Sequence, residues 1–282
     1  MCGIIGYIGM RGATPLLLEG LKRMEYRGYD SAGVAVMNGG GVETRKAAGK
    51  ISELERALAA SPVAGDMGIG HTRWATHGVP NECNAHPHID CKGNIAVVHN
   101  GIIENSGTLK KGLQERGHKF VSETDTEVIA HLIEEAFDGN LEDAVIEALW
   151  QIEGTYGIAV VSSQDKNKIV AARKGSPLLI GLGEGEYYVA SDVSAILAQT
   201  REVVYLDDGD VAVLTRDGYT VLNQRAQQLE KGVSKIDWDL DQIERGGFAH
   251  FMLKEIFEQP QTIQNTMRGR LVLEEGFSKL GG

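Results

Sequence analysis

Six strand-like runs follow one another between Tyr156 and Leu214: Tyr156 to Val161, Lys168 to Ala172, Leu178 to Leu182, Tyr187 to Ala190, Val203 to Leu206 and Val211 to Leu214. Many of the joins between them are too short for the crossover that parallel strands need, which takes about a dozen residues or more. The same texture runs through the first hundred residues. Gly3 to Gly9 reads GIIGYIG, Ser31 to Met37 and Val42 to Ala47 flank the glycine turn Gly39-Gly40-Gly41, and Met67 to Arg73 and Asn94 to His99 add two more runs. Helical patterns are fewer. Thr14-Pro15 opens one whose Leu17, Leu18, Leu21 and Met24 recur at helical spacing up to Gly28. Ser52 with Glu55, and Thr124 with Glu127, read as capping boxes, the second opening a helix from Val128 to Phe137. Leu141 to Ile152 is amphipathic and ends at Gly154. An excess of strands with short joins predicts an α+β fold, with antiparallel sheets and helices packed outside them.

The pattern breaks in two places. Trp74 to Gly93 is a long irregular segment, and such a loop within a compact domain is usually functional. After about Asn223 the hydrophobic alternation stops. The reading is therefore a domain over 2–223 and a linker segment over 224–282, with a helix restarting at His250 toward Thr262 and kinked or broken at Pro260. The terminal FSKLGG suggests a chain cut at a domain boundary.

Composition excludes several classes. The net charge of −11 comes with no Lys/Arg cluster, which argues against nucleic acid as a partner. No apolar run approaches the roughly 18 residues of a membrane span, and the N-terminus lacks a secretory pattern. Three cysteines make no disulfide framework in 282 residues, so a reduced, cytoplasmic protein is expected. Cys83, His86, His88 and Cys91 have zinc-compatible side chains, but their C-x2-H-x-H-x2-C spacing matches no common zinc module. No metal and no cofactor are expected.

Met1-Cys2-Gly3 is the start that carries chemistry. Cysteine is small enough for the initiator Met to be removed, which leaves a thiol and a free α-amine on one residue. That amine, with a pKa of about 7.7–8.0, can accept a proton near neutrality. Nucleophile and base then share a residue, as they do in N-terminal threonine nucleophiles. Taken alone, Cys2 reads more readily as an ordinary buried cysteine.

YRGYDSAG at 26–33, HTRWATHG at 71–78, NAHPH at 84–88, VHNGIIEN at 98–105 and SETDTEVIAHL at 122–132 resemble, in order, the glutaminase domain of the glutamine:fructose-6-phosphate amidotransferases. The likeness covers most of residues 2 to 220, and HFMLKEIFEQP at 250–260 is similar to the segment that leads into the family's sugar-isomerase half. The resemblance implies an N-terminal-nucleophile hydrolase: a four-layer αββα sandwich that hydrolyses L-glutamine to glutamate and ammonia through a thioester on Cys2, with no cofactor. It implies that Asn100 and Gly101 form the oxyanion hole, although Asn-Gly by itself signals a hairpin turn. It implies that Arg73 meets the substrate carboxylate and Asp125 the ammonium, although the two also read as a surface ion-pair partner and a helix-start charge. Trp74, Thr76 and His77 fall in the loop that closes over glutamine, His77 as a positioning group, and Arg27 and Gly28 border the nucleophile. The full-length partners implied are C-terminal sugar-isomerase domains with fructose 6-phosphate as acceptor, in a homodimer. The rivals are the glutaminase domain of a sister enzyme, such as amidophosphoribosyltransferase, and a glutamine-binding module without catalysis.

Overall fold

The computed structural model describes residues 2–75, 77–237, 247–267, 271–272 and 277–278. Two compact units emerge, Met1–Asp237 and Trp238–Gly282.

In the first unit, β1 (Gly3–Ile8), β2 (Ser31–Asn38), β3 (Gly41–Ala48), β4 (Met67–Arg73), β9 (Leu179–Gly183), β10 (Glu186–Ala190), β11 (Glu202–Tyr205) and β15 (Ser234–Lys235) form one sheet. Its order is β15-β11-β9-β10-β1-β4-β2-β3. The second sheet contains β5 (His88–Ile89), β6 (Ile95–Ile103), β7 (Gly154–Ser162), β8 (Ile169–Lys174), β12 (Val211–Leu214), β13 (Tyr219–Leu222) and β14 (Gln228–Leu229), in the order β14-β13-β12-β8-β7-β6-β5. Every ladder in both sheets is antiparallel, as the short joins require.

Alternation along the strands makes the layers. Ile4, Ile8, Ala35 and Ile69 from the first sheet pack against Ala96, Val98, Ala159 and Ala171 from the second, a dry core between the sheets. Ile5 points the other way, toward α1 (Ala13–Met24), whose Leu17 and Leu21 are fully buried. Helix α2 (Ile51–Ala60) lies beside it over β3. On the outer face of the second sheet, Ile95, Val97, Ile158 and Val160 pack with α4 (Glu127–Ala136) and α5 (Leu141–Trp150), and α3 (Ser106–Glu115) adds Leu113. The fold is a four-layer αββα sandwich. Among the described residues no helix is long and apolar enough to cross a membrane.

Several local expectations change. The Ser52–Glu55 box does not form: α2 begins at Ile51, whose N–H donates to Glu25 Oε1 at 3.2 Å, so a carboxylate from another segment serves the orphan donor. Thr124 is not the cap of α4 either. Glu127, its first residue, accepts from the N–H groups of Val121 (2.8 Å) and Ser122 (2.7 Å) and folds the preceding segment back on the helix. Helix α3 escapes a periodicity search because its one fully enclosed side chain is Leu113. Asn100-Gly101 is not a hairpin turn. Both residues lie inside β6, paired with Gly157 and Tyr156 of β7, because the ladder continues to Ile103. Residues 224–237, read as linker, belong to the compact unit, since β14 extends the second sheet and β15 the first.

In the second unit, α6 (Phe251–Met267) runs through Pro260 without ending there, and β16 (Leu271–Val272) pairs with β17 (Phe277–Ser278).

Candidate active site

The sheets bring three strand ends together. Gly3 pairs with Thr72, so Cys2, just ahead of β1, lies beside Arg73 at the end of β4 and Trp74 beyond it. From the facing sheet, β6 contributes Asn100 and Gly101. A cavity of about 440 Å³ opens at this meeting point, and Cys2, Arg27, Arg73, Trp74, His77, Asn100, Gly101 and Asp125 all reach its wall. That size suits a small polar ligand.

The thiol of Cys2 is held by one backbone unit: Sγ accepts from Trp74 N–H at 3.1 Å and faces Trp74 O at 3.5 Å. Burial pushes the thiol pKa up, and the Trp74 N–H offsets part of that rise. At pH 7 the group is therefore a thiol that needs a base.

Asn100 is pinned by a buried histidine. His71 Nε2 lies 3.0 Å from both Asn100 Oδ1 and His99 O. Both are acceptors, so Nε2 carries the proton and donates to both. Complete burial drives the His71 pKa down to about 3, keeping the ring neutral. With its oxygen occupied, the Asn100 amide turns its NH2 to the backbone carbonyl of Cys2, to which it donates at 3.4 Å. Gly101 stands at φ +137°, and a Cβ there would sit 2.1 Å from Thr155 O, so glycine is required on both counts.

The buried guanidinium of Arg73 donates to the carbonyls of His77, Gly78 (3.2 Å) and Val79 (3.4 Å), and lies 3.6 Å from Asp30. It thus folds the loop after β4 around itself. Asp30 secures the other side of that loop through the Ala75 N–H. Asp125 is buried on the wall of the same cavity, its Oδ2 accepting from Ile103 N–H at 2.8 Å and its Oδ1 4.0 Å from His77 Nδ1. The cavity wall thus carries both a cation and a carboxylate. Arg27 pairs with Asp192 at 2.9 Å. Gly28, at φ +104°, leaves room for the half-exposed Trp74 ring, which an added Cβ would meet at 1.9 Å. Thr76 lies outside the described residues.

Sequence reading missed His71, Asp30, His86, His99, Thr124 and Thr126, although all lie in the quoted motifs or beside them. His99 Nδ1 and His86 Nε2 share the Thr126 hydroxyl, each at 2.9 Å, and His88 Nε2 meets Thr124 Oγ1 at 3.0 Å. These contacts brace the segment that carries Asp125. They also separate the C-x2-H-x-H-x2-C residues: His86 and His88 are bound to threonines, and Cys83 donates to Val121 O at 2.8 Å.

Fold and site together resemble those of the N-terminal-nucleophile glutamine amidotransferases, and Cys2 lines the cavity with Asn100 and Gly101. Residues 71–198 match the glutamine amidotransferase domain family. In structure the chain is similar to the glutamine phosphoribosylpyrophosphate amidotransferase of B. subtilis (TM-score 0.69, 28% identity, 79% of this chain and 49% of that one). It shares the fold of a glutamine aminotransferase class-II domain protein from Silicibacter pomeroyi (TM-score 0.54, 17% identity, 79% of this chain and 99% of that one). In sequence it is similar to proteins named glutamine–fructose-6-phosphate aminotransferase [isomerizing]. The protein from Chlorobaculum tepidum is 55% identical over all of this chain and 47% of its own length. That from Thermus thermophilus is 53% identical over all of this chain and 46% of its own length. That from Pyrococcus horikoshii is 52% identical over 96% of this chain and 46% of its own length. The chain thus spans a little under half the length of these relatives.

Proposed function

We propose that the chain hydrolyses L-glutamine to L-glutamate and ammonia, and that in a longer protein the ammonia is delivered to fructose 6-phosphate to give glucosamine 6-phosphate. The observation that supports this most directly is the Cys2 thiol in a cavity that Arg73, Asn100, Gly101 and Asp125 also line, with the Asn100 oxygen held by His71.

After Met1 is removed, the Cys2 amine takes the thiol proton and the thiolate attacks the side-chain carbonyl carbon of glutamine. The oxyanion that forms is held by Asn100 Nδ2–H and the Gly101 N–H, donors fixed before the reaction begins. The protonated amine returns its proton to the leaving nitrogen, the C–N bond breaks and ammonia departs. Water, deprotonated by the same amine, then cleaves the γ-glutamyl thioester. Arg73 exchanges one or more loop carbonyls for the substrate α-carboxylate, and Asp125 takes the α-ammonium. Trp74, Thr76 and His77 cover the bound substrate and exclude water, while Arg27 and Gly28 keep the floor beneath Trp74. The acceptor reading rests on the names of the relatives and on residues 224–282 leading toward sugar-isomerase domains, in a protein of the reducing cytoplasm.

The test is a glutamine-analogue electrophile followed by peptide mapping. One adduct is expected, on Cys2, which alone of the three cysteines lines the cavity. Cys2→Ala is expected to lose glutamate release while still binding glutamine. Labelling at Cys83 or Cys91, or turnover by the Cys2→Ala protein, would overturn the mechanism.

A further inference from the structure

Away from the cavity, Cys91, His118, His131 and Glu134 each turn one donor atom toward a common point, all four atoms lying within 4.8 Å of one another. We propose that these side chains bind one divalent transition-metal ion, zinc by preference, in a tetrahedral site of one thiolate, two imidazoles and one carboxylate.

The spacings are those a metal would impose. Bonds of about 2.0–2.1 Å to nitrogen and about 2.3 Å to sulfur, at tetrahedral angles, put two nitrogens about 3.3–3.4 Å apart and nitrogen and sulfur about 3.6 Å apart. His118 Nδ1 and His131 Nδ1 are 3.3 Å apart, and each is 3.6 Å from Cys91 Sγ. Glu134 Oε2 is 3.4 Å from His131 Nδ1 and 3.2 Å from His118 Nδ1.

The outer atoms set the protonation. His118 Nε2 lies 3.1 Å from Glu135 Oε1, and His131 Nε2, buried without a hydrogen bond, has Glu127 Oε1 at 3.7 Å; a metal on the two Nδ1 lone pairs would leave each ring proton on the outer nitrogen, on the side of a carboxylate. Glu134 Oε2 accepts from Cys91 N–H at 3.1 Å, and Cys91 Sγ accepts from Lys119 N–H at 3.4 Å. Two imidazole lone pairs, a carboxylate and a sulfur then converge with no proton assigned among them. A cation supplies what they lack, and a thiolate with a carboxylate neutralises its double charge. A mixed sulfur, nitrogen and oxygen set suits zinc.

Cys91 and His118 stand beside a shallow cavity of about 290 Å³, which gives an ion a route in. The ion would tie the turn between β5 and β6 and the connector after α3 to helix α4. That connector carries Thr124 and Asp125 into the active site.

The test uses metal alone. Chain purified without a metal-binding tag, from zinc-supplemented growth, is assayed for metal by mass spectrometry. It is then stripped with chelator and titrated with Co²⁺. About one zinc per chain is expected, with the intense visible bands of tetrahedral cobalt, thiolate charge transfer in the near ultraviolet, and a Tm that falls on stripping and returns with zinc. Cys91→Ser and His118→Ala, at solvent-reachable positions, should lose the charge-transfer absorption, while Cys83→Ser and Cys2→Ala keep it. Substoichiometric zinc with no cobalt bands, or charge transfer that survives Cys91→Ser, would overturn the proposal.

Discussion

On the proposed function, the two charged groups of an amino acid account for the burial of opposite charges in one small cavity. Arg73 and Asp125 each cost desolvation, and the zwitterionic substrate proposed here would offset both costs at once. Removing one leaves a substrate charge unpaired. Arg73→Ala and Asp125→Ala are each expected to lower kcat/KM by about 2–5 kcal/mol, a range typical of truncating one partner of a buried charge pair. Arg73→Ala also frees the carbonyls of His77, Gly78 and Val79, so its KM should rise further than that of Asp125→Ala. Steady-state glutaminase kinetics check both, and parent-like kinetics for either variant would remove that residue from the assignment. His71 belongs at the same scale. On the proposed mechanism it touches no reacting atom, yet by holding the Asn100 oxygen it fixes which end of that amide is left to donate. His71→Ala should mimic much of the kcat loss of Asn100→Ala, about 10²–10³-fold for an oxyanion donor, while KM changes little. A His71→Ala defect seen only in KM would refute the positioning role.

At the scale of elements, the site depends on two backbone points where a side chain cannot stand. Gly28 ends the turn after α1 and leaves space for the Trp74 ring, and Gly101 lets β6 pass Thr155 within the ladder. Each has a positive φ, costing a non-glycine residue on the order of 1–3 kcal/mol. The consequences differ. Gly28→Ala must move an exposed indole, so it should lower activity and shift Trp fluorescence with a small loss of stability. Gly101→Ala drives a Cβ into a backbone carbonyl of a central ladder and should cost clearly more stability. Thermal melts of the two variants give the order, and equal Tm values would show that the ladder relaxes around Gly101. The segment from Val121 to Thr126 has its own logic. Glu127, His86, His88 and His99 hold its backbone and hydroxyls, which fixes Asp125 without any regular secondary structure.

Across the whole molecule, buried histidines set an acid limit. Burial is the largest cause that takes His71 and His88 down to about 3 and His86 well below its ordinary value. In the unfolded chain these groups titrate near about 6.5. Between those values the unfolded state binds more protons, so stability is full above about pH 6.5 and falls as the pH drops toward 3, by up to about 1.4 kcal/mol per pH unit for each histidine. Melts from pH 7.5 down to 4 should show a falling Tm, and a flat profile would mean these rings are charged when folded. Activity should vary on another axis. None of these rings ionises near neutrality, so kcat/KM should rise with pH through the Cys2 amine, about 7.7–8.0 in an unperturbed chain. The division between halves also acts at this scale. With a little under half the length of its relatives, the chain is expected to release glutamate and ammonia but to make no glucosamine 6-phosphate, and added fructose 6-phosphate should not change its glutaminase rate. An effector shifts an equilibrium only through differential affinity, and the acceptor site is assigned here to the other half. A rate increase would put a sugar-phosphate site within residues 1–282.

The sequence alone determined the class of the fold, because alternating apolar residues and short joins leave antiparallel sheets with outer helices as the way to bury those faces. It also pointed to Cys2, since a thiol beside a future α-amine is chemistry contained in one residue. It could not decide what rests on contacts between distant segments. Asn-Gly reads as a turn by local preference, and only the β6–β7 ladder keeps it in a strand. Glu127 looks like part of a capping box and instead holds Val121 and Ser122, because the chain folds back there. His71 and Asn100 are 29 positions apart, and neither announces the other until two strands from facing sheets meet. The cysteine–histidine spacing near residue 90 drew attention to His86 and His88, yet tertiary structure sends those rings to threonines and brings Cys91 to His118 and His131 instead. Local pattern encodes which face of an element is buried. Which side chains converge is set by how separate layers pack, and that information is distributed over the whole core.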